Sequence, residues 1–301
     1  MQQPWHAEHL VDVACLRRLL AVQFPALAEE SISPLAEGWD NACFLVGTDL
    51  IFRLPRRAVG ADLMDHENAL LPTLAPRLPL PIPVPQHIGA PQGDYPWSFH
   101  GYRQLEGETL CRAELDDDAR SALARPLGEF LRALHGTPAD ITPALPLDEL
   151  GRLDLRKRCG QIEERLADLK LSGMIGDPRP WLRVLDELPT GWQPSADTLV
   201  HGDLYARHLL VDEAGSLTGV IDWGDAHLGD PAIDLGIVHA ALPSSAHAAF
   251  REAYGPINSA HWAVARMKAL HHMVVIVVYG VDVGDRALVV EGRRGLERLA
   301  R

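Results

Sequence analysis

The sequence predicts an α+β fold, a small mixed lobe followed by a larger, mostly helical one. Three observations carry this. Short strand-like runs joined by hairpin-like turns fill the region before residue 103. Apolar residues at helical spacing dominate the remainder of the chain. A glycine-bearing segment, Gln104 to Glu108, reads as the hinge between the two, which sets the domains at 1–103 and 104–301.

The elements are taken in chain order. Residues 9–28 place Leu10, Val13, Leu16, Leu19 and Leu20 on one helical face. Ile32–Leu35, Ala42–Val46 and Leu50–Leu54 read as strands, linked through Gly38-Trp39-Asp40-Asn41 and Gly47-Thr48-Asp49. Residues 62–75 read as a helix that a proline-rich stretch (Pro76, Pro79, Pro81, Pro83, Pro85) ends, because proline cannot continue the hydrogen-bond ladder. Gln86–Gly89 and Trp97–Arg103 complete the strands of the small lobe. Beyond the hinge, Leu115–His135 and Leu155–Leu171 are predicted helices, followed by two short apolar strands joined by a turn at Glu213–Ser216. Three helices close the chain, at about 231–242, 245–254 and 259–300, the last broken near Gly280–Gly284.

Composition narrows the function classes. The chain has 301 residues, 47% of them hydrophobic, enough for a large core and for two lobes. A net charge of −13 argues against nucleic acid as partner and is compatible with electrostatic steering of a cationic small molecule. The N-terminal residues lack a basic and apolar leader pattern, and the apolar run Met273–Tyr279 is too short to span a bilayer, so a cytoplasmic protein without membrane association is expected, with a monomer favoured. Cys15, Cys43, Cys111 and Cys159 lack metal-ligand spacing and are expected to be buried, reduced thiols.

The chemistry concentrates in two segments. His201-Gly202-Asp203-Leu204 and Ile221-Asp222-Trp223-Gly224 each set a carboxylate at the mouth of a short apolar strand. That arrangement suits phosphoryl transfer, in which one acid orients a hydroxyl nucleophile and another holds a divalent metal on the phosphates. A cation must also meet the phosphates. Lysine occurs only at positions 157, 170 and 268, so in the small lobe arginine has to supply it. Arg53, ending the strand Leu50-Ile51-Phe52, is the candidate, with Glu67 as its ion-pair partner.

The two acidic segments together resemble the catalytic and metal-binding loops of the aminoglycoside phosphotransferase family, which shares a two-lobed fold with the protein kinases. The resemblance runs from about residue 8 to the C-terminus and is most specific over 201–234. It implies that Asp203 orients the acceptor hydroxyl, that Asp222 holds Mg²⁺, and that ATP or GTP donates the phosphate. His208 stands where many relatives carry a metal-ligating asparagine; it either ligates the metal or only hydrogen-bonds the loop. His201 shapes that loop, and Asp234, in Asp230-Pro231-x-x-Asp234, tethers it. The turn at Gly38 and Asn41 would cover the triphosphate with backbone or side-chain donors, while Asp40 points away. The base would rest on Leu210 and Ile221, with Tyr102 to Leu105 as hinge edge. His208 and the run Arg53-Leu54-Pro55-Arg56-Arg57 lean toward the macrolide phosphotransferase branch. Aminoglycosides or macrolides are the implied acceptors; a kinase of an endogenous hydroxylated metabolite and a nucleotide-binding pseudokinase are the alternatives. His239, Glu252, Tyr254, Trp262, His271, His272 and Tyr279 are the pool from which an acceptor pocket could draw.

Overall fold

Two units emerge from the contacts of the chain, one of Met1–Pro76 with Pro81–Leu105, the other of Arg77–Leu80 with Glu106–Arg301. The computed structural model describes residues 7–38, 40–138, 140 and 145–301. Its make-up is the α+β one that the sequence predicts, an antiparallel sheet in the first unit and mainly helices in the second.

In the first unit five strands, β1 (Ile32–Glu37), β2 (Asn41–Val46), β3 (Leu50–Pro55), β4 (His87–Gly89) and β5 (Phe99–Arg103), form a wholly antiparallel sheet in the order β1-β2-β3-β5-β4. β2 alternates buried and half-buried residues, as a strand with one covered face must. Its buried Ala42, Phe44 and Val46 pack with Phe52, Phe99 and Tyr95 and with Leu16, Leu19 and Leu20 of helix α1 (Val13–Gln23). The α1 helix is shorter than its apolar pattern: the Asp12 carboxylate accepts the Cys15 amide at 2.7 Å and fixes the start, and Pro25 follows its end. Helix α2 (Ala58–Leu74) begins earlier than expected and carries Pro72 in its last turn.

The second unit opens with β6 (Glu108–Thr109), which pairs with β8 (Leu209–Val211) and through it with β9 (Leu217–Val220). Leu115–His135, expected as one helix, is two: α3 (Asp117–Ala122) and α4 (Ala124–His135). Pro126 has no amide to give the Ala122 carbonyl, so the ladder is interrupted there. α5 (Leu155–Leu171) has the predicted bounds, with Asp154 capping the Lys157 amide at 3.0 Å. α6 (Arg179–Asp186), which buries Trp181 and Val184, went unpredicted. β7 (Thr198–Val200) pairs with β10 (His227–Gly229), setting the two acidic segments side by side.

Helices α7 (Ala232–Ala241), α8 (His247–Tyr254), α9 (Ser259–Asp282) and α10 (Arg286–Leu299) complete the chain. The expected break between the last two occurs at Gly284, after which Asp285 caps α10. α9 packs against α5, α7 and α10. By length and composition alone it could cross a membrane, but 61% of its most apolar window is buried inside the protein. Arg120 of α3 and Glu291 of α10, both buried, meet in two parallel bonds of 2.8 and 2.6 Å. Cys15 is buried, whereas Cys43, Cys111 and Cys159 are only half-buried, contrary to expectation.

Candidate active site

The segment His201–His208 runs from β7 to β8, and Asp222 lies two residues past β9. Three contacts fold the pieces together. Gly202 has φ +85°, and a Cβ there would lie 2.2 Å from the Asp225 carbonyl oxygen, so only glycine allows the loop to pass. His201 is buried; its Nε2–H donates to the Ile221 carbonyl at 3.0 Å, tying the first acidic segment to the second, while its ring packs on Trp223 at 4.8 Å. Asp234 accepts the His201 and Gly202 amides with its two carboxylate oxygens, at 2.7 and 3.0 Å, and also meets His135 at 3.2 Å. His201 and Asp234 are therefore structural in geometry, a clasp and a tether.

These contacts bring Asp203, His208 and Asp222 together. His208 Nδ1–H donates to the Asp203 carbonyl at 2.8 Å, which turns Nε2 toward Asp222 Oδ2 at 3.2 Å. Nδ1 also lies 3.9 Å from Asp203 Oδ2. Asp222 is the one non-glycine residue with positive φ (65°) among those described, an uncommon backbone state for an L-residue, and its side chain is 49% exposed. Burial alone would discharge His208, but the carboxylates of Asp222 and Asp203 outweigh it and raise its pKa. Asp203 is itself raised, to about 6, chiefly because its surroundings exclude water and against the pull of His208, although the edge of the side chain stays open. Asp225 is engaged elsewhere, in an ion pair with Arg152.

The phosphotransferase enzyme family model matches residues 31–270. The chain belongs to that family. Among solved structures, the GDP complex of wild-type aminoglycoside 2'-phosphotransferase-IIIa superposes with TM-score 0.67 at 26% identity, over 96% of this chain and 99% of that one. A macrolide 2'-phosphotransferase from Brachybacterium faecium has the same fold (TM-score 0.58, 23% identity, 96% and 97% covered). Uncharacterized protein YcbJ of Bacillus subtilis (strain 168) is 23% identical over 259 residues, 80% of this chain and 78% of that protein.

As a member of this family the chain carries its second group of candidates in the first unit. Arg53, 5% exposed, and Glu67, 1% exposed, form a buried ion pair of 2.7 Å between β3 and α2. Tyr102 is buried in β5 beside Ile51, and Leu105 follows that strand half-buried. The other base-contact candidates lie in the second unit: Leu210 is buried in β8, and Ile221 is half-buried with its amide on the His208 carbonyl.

At the turn the Gly38 amide donates to the Asn41 carbonyl at 2.9 Å and closes the hairpin on itself. Arg56 and Arg57 brace this turn, Arg56 on the Gly38 carbonyl at 3.1 Å and Arg57 on the Asp40 carboxylate at 2.8 Å. Asn41 Oδ1 is buried with no partner among the described residues; an oxygen only accepts, so a phosphate would be met by the Asn41 side-chain NH₂ instead. Trp39 lies outside those residues.

Of the pool of possible pocket residues, His272 reaches the Asp203 loop, with Nε2 3.4 Å from Asp203 Oδ1. His271 bonds Gln161, Tyr254 bonds His135, Glu252 pairs with Arg125, and His239 packs on Trp262. Lys268, a buried neighbour of Asp203, is the residue that sequence reasoning missed. Its signal was a lysine one helical turn before His272 in a mostly apolar helix.

Proposed function

We propose that this chain is a small-molecule O-phosphotransferase, moving the γ-phosphate of ATP or GTP directly to a hydroxyl of an aminoglycoside- or macrolide-type acceptor. The observation that carries this reading is the juxtaposition of Asp203, His208 and Asp222 at the ends of β7, β8 and β9. Asp203 would accept a hydrogen bond from the acceptor hydroxyl and take its proton as the bond from that oxygen to the γ-phosphorus forms and the bond to the bridging oxygen breaks, releasing the nucleoside diphosphate. Its raised pKa matches a base that must work near neutrality.

Asp222 offers a half-exposed carboxylate, the oxygen type that Mg²⁺ takes, while His208, with Nδ1–H committed to a carbonyl and Nε2 facing that carboxylate, would either ligate the ion or only hydrogen-bond the loop. Such an ion neutralises charge on the phosphates when bound. In the first unit Arg53, held by Glu67, is the proposed phosphate clamp, with Asn41 a side-chain contact and Tyr102, Leu105, Leu210 and Ile221 the surfaces for the base. A phosphate donor of this kind points to work in the cytoplasm.

Relatives support the class. At 26% identity, aminoglycoside phosphotransferases have been solved with GDP, and with GDP and kanamycin. A net charge of −13 favours a polycationic acceptor. The test is Asp203→Asn, assayed for turnover and for nucleotide binding. The expected result is loss of phosphate transfer with nucleotide affinity retained. Unchanged nucleotide turnover in the variant, or no transfer by the wild type with any acceptor, would favour a nucleotide-binding module instead.

A further inference from the structure

Helix α9 buries Lys268 and His272 among apolar residues, while the neighbouring Arg266 pairs with Glu187 and His271 bonds Gln161. Lys268 is 8% exposed and the His272 side chain 13% exposed, while Val264, Ala265, Ala269, Leu270, Met273 and Val274 around them are buried core residues. Burying a cation without a partner is costly, so a helix packed only for stability would carry leucine or methionine there. Lys268 and His272 stand one turn apart and therefore share a face. They also share the wall of a small cavity with Leu204 and Tyr205, on either side of which the catalytic loop turns.

What this face meets is Asp203. His272 Nε2 lies 3.4 Å from Asp203 Oδ1, and Lys268 is among the charges acting on the same carboxylate. The other oxygen, Oδ2, is the one nearer His208, at 3.9 Å. Tyr205 fills the space between the two imidazoles, its ring 4.4 Å from His208 and 4.7 Å from His272. The carboxylate is thus flanked by an imidazole at each oxygen, one from its own loop and one from a helix more than sixty residues away in the chain.

We propose that His272 is a positioning residue for Asp203, donating from Nε2–H to Oδ1 so that the carboxylate is held in the rotamer that meets the acceptor hydroxyl. The proposal rests on the phosphotransferase reading of the site. Its chemistry is constrained. Burial, with Lys268 nearby, keeps the His272 imidazole neutral. A neutral imidazole has a single N–H, and an ionised carboxylate can only accept, so the tautomer facing Asp203 must carry its proton on Nε2. Lys268 is a further positive charge acting on the carboxylate from within the core. At 3.4 Å the pair is longer than a formed N–H···O bond, and the proposal requires that it shorten when substrate fills the site.

Two measurements test this. In the first, His272→Ala and His272→Gln are compared for kcat and KM with nucleotide and an accepted substrate. His272→Ala should lower kcat about tenfold, the equivalent of one hydrogen bond to a charged group, with nucleotide KM unchanged within about twofold. His272→Gln, which keeps a side-chain N–H, should recover most of that loss. An unchanged kcat in His272→Ala overturns the proposal. So do equal defects in both variants with KM rising in step, the signature of lost packing.

The second is long-range proton–nitrogen NMR of the imidazoles in the full chain without nucleotide. The expected spectrum shows His272 as the Nε2–H tautomer in the wild type and a loss of that preference in Asp203→Ala. An Nδ1–H tautomer, or a spectrum indifferent to Asp203→Ala, overturns it. Because this spectrum needs no turnover, a wild type inactive on every acceptor would refute the phosphotransferase reading while leaving the contact itself decided.

Discussion

Asp234→Asn replaces a group that holds the Asp203 loop by two backbone amides while keeping its shape. In the wild type one oxygen accepts His201 N–H at 2.7 Å and meets His135 at 3.2 Å; the other accepts Gly202 N–H at 3.0 Å. Asparagine retains one oxygen. In its best orientation the new NH₂ faces the Gly202 amide, donor against donor, and a buried N–H is orphaned. A bond to a charged acceptor contributes about 1.5–3 kcal/mol, and the remaining bond weakens with loss of charge, so the loop should lose about 2–4 kcal/mol. Amide exchange at His201 and Gly202 reads this locally, and protection should fall by about 30- to 1,000-fold. A fall of less than about fivefold would refute the reasoning. The same carboxylate sets a pH dependence. Burial opposes its charge, but His135 and the His201 amide outweigh that and hold its pKa below the ordinary aspartate value. Its contribution is therefore fully present above the unfolded value, about 3.9, and is lost as pH falls through the lower folded value. The gap between wild type and variant should be constant from neutral pH down to about 5 and close below about 4.

Three further substitutions probe the buried charges. Lys268→Met should raise stability by about 1–3 kcal/mol in thermal unfolding, by removing a buried cation, while lowering kcat; a loss of stability would mean the ammonium is well solvated or well paired. Arg53→Lys keeps the charge but gives up the planar fork toward Glu67 and phosphate, so nucleotide KM should rise about tenfold in steady-state assays. Arg120→Ala strands the buried Glu291 and should cost about 3–5 kcal/mol in urea unfolding, without an effect on nucleotide affinity in the folded protein.

What could be read from the sequence was what is local. Asp203 and Asp222 stand out because a short motif and a strand end surround each. Arg53 stands out because lysine is missing from the first half of the chain, and a carboxylate one helix on is its natural partner. Where the sequence misled, a second interaction decided. The apolar stripe of Leu115–His135 is continuous, yet Pro126 interrupts the ladder beneath it. α6 sits in a proline-rich stretch and owes its form to burial of Trp181, whose indole N–H reaches the Leu296 carbonyl at 2.7 Å. Lys268 and His272 were least legible: a lysine and a histidine one turn apart in a mostly apolar helix mark the spot, but their proximity to Asp203 arises from packing across the chain.

The central claim is that the Asp203–Asp222 site transfers a nucleotide γ-phosphate to a small-molecule hydroxyl, and product analysis tests it most directly. The protein would be incubated with Mg²⁺ and ATP or GTP labelled at the γ-phosphate, against aminoglycosides, macrolides and small hydroxylated metabolites, and the label followed by mass spectrometry. The account predicts label on an acceptor hydroxyl with the wild type, none with Asp203→Asn, and none on the protein. Label trapped covalently on the protein during turnover would contradict direct transfer, and nucleotide binding with no labelled acceptor in the whole panel would contradict the enzyme.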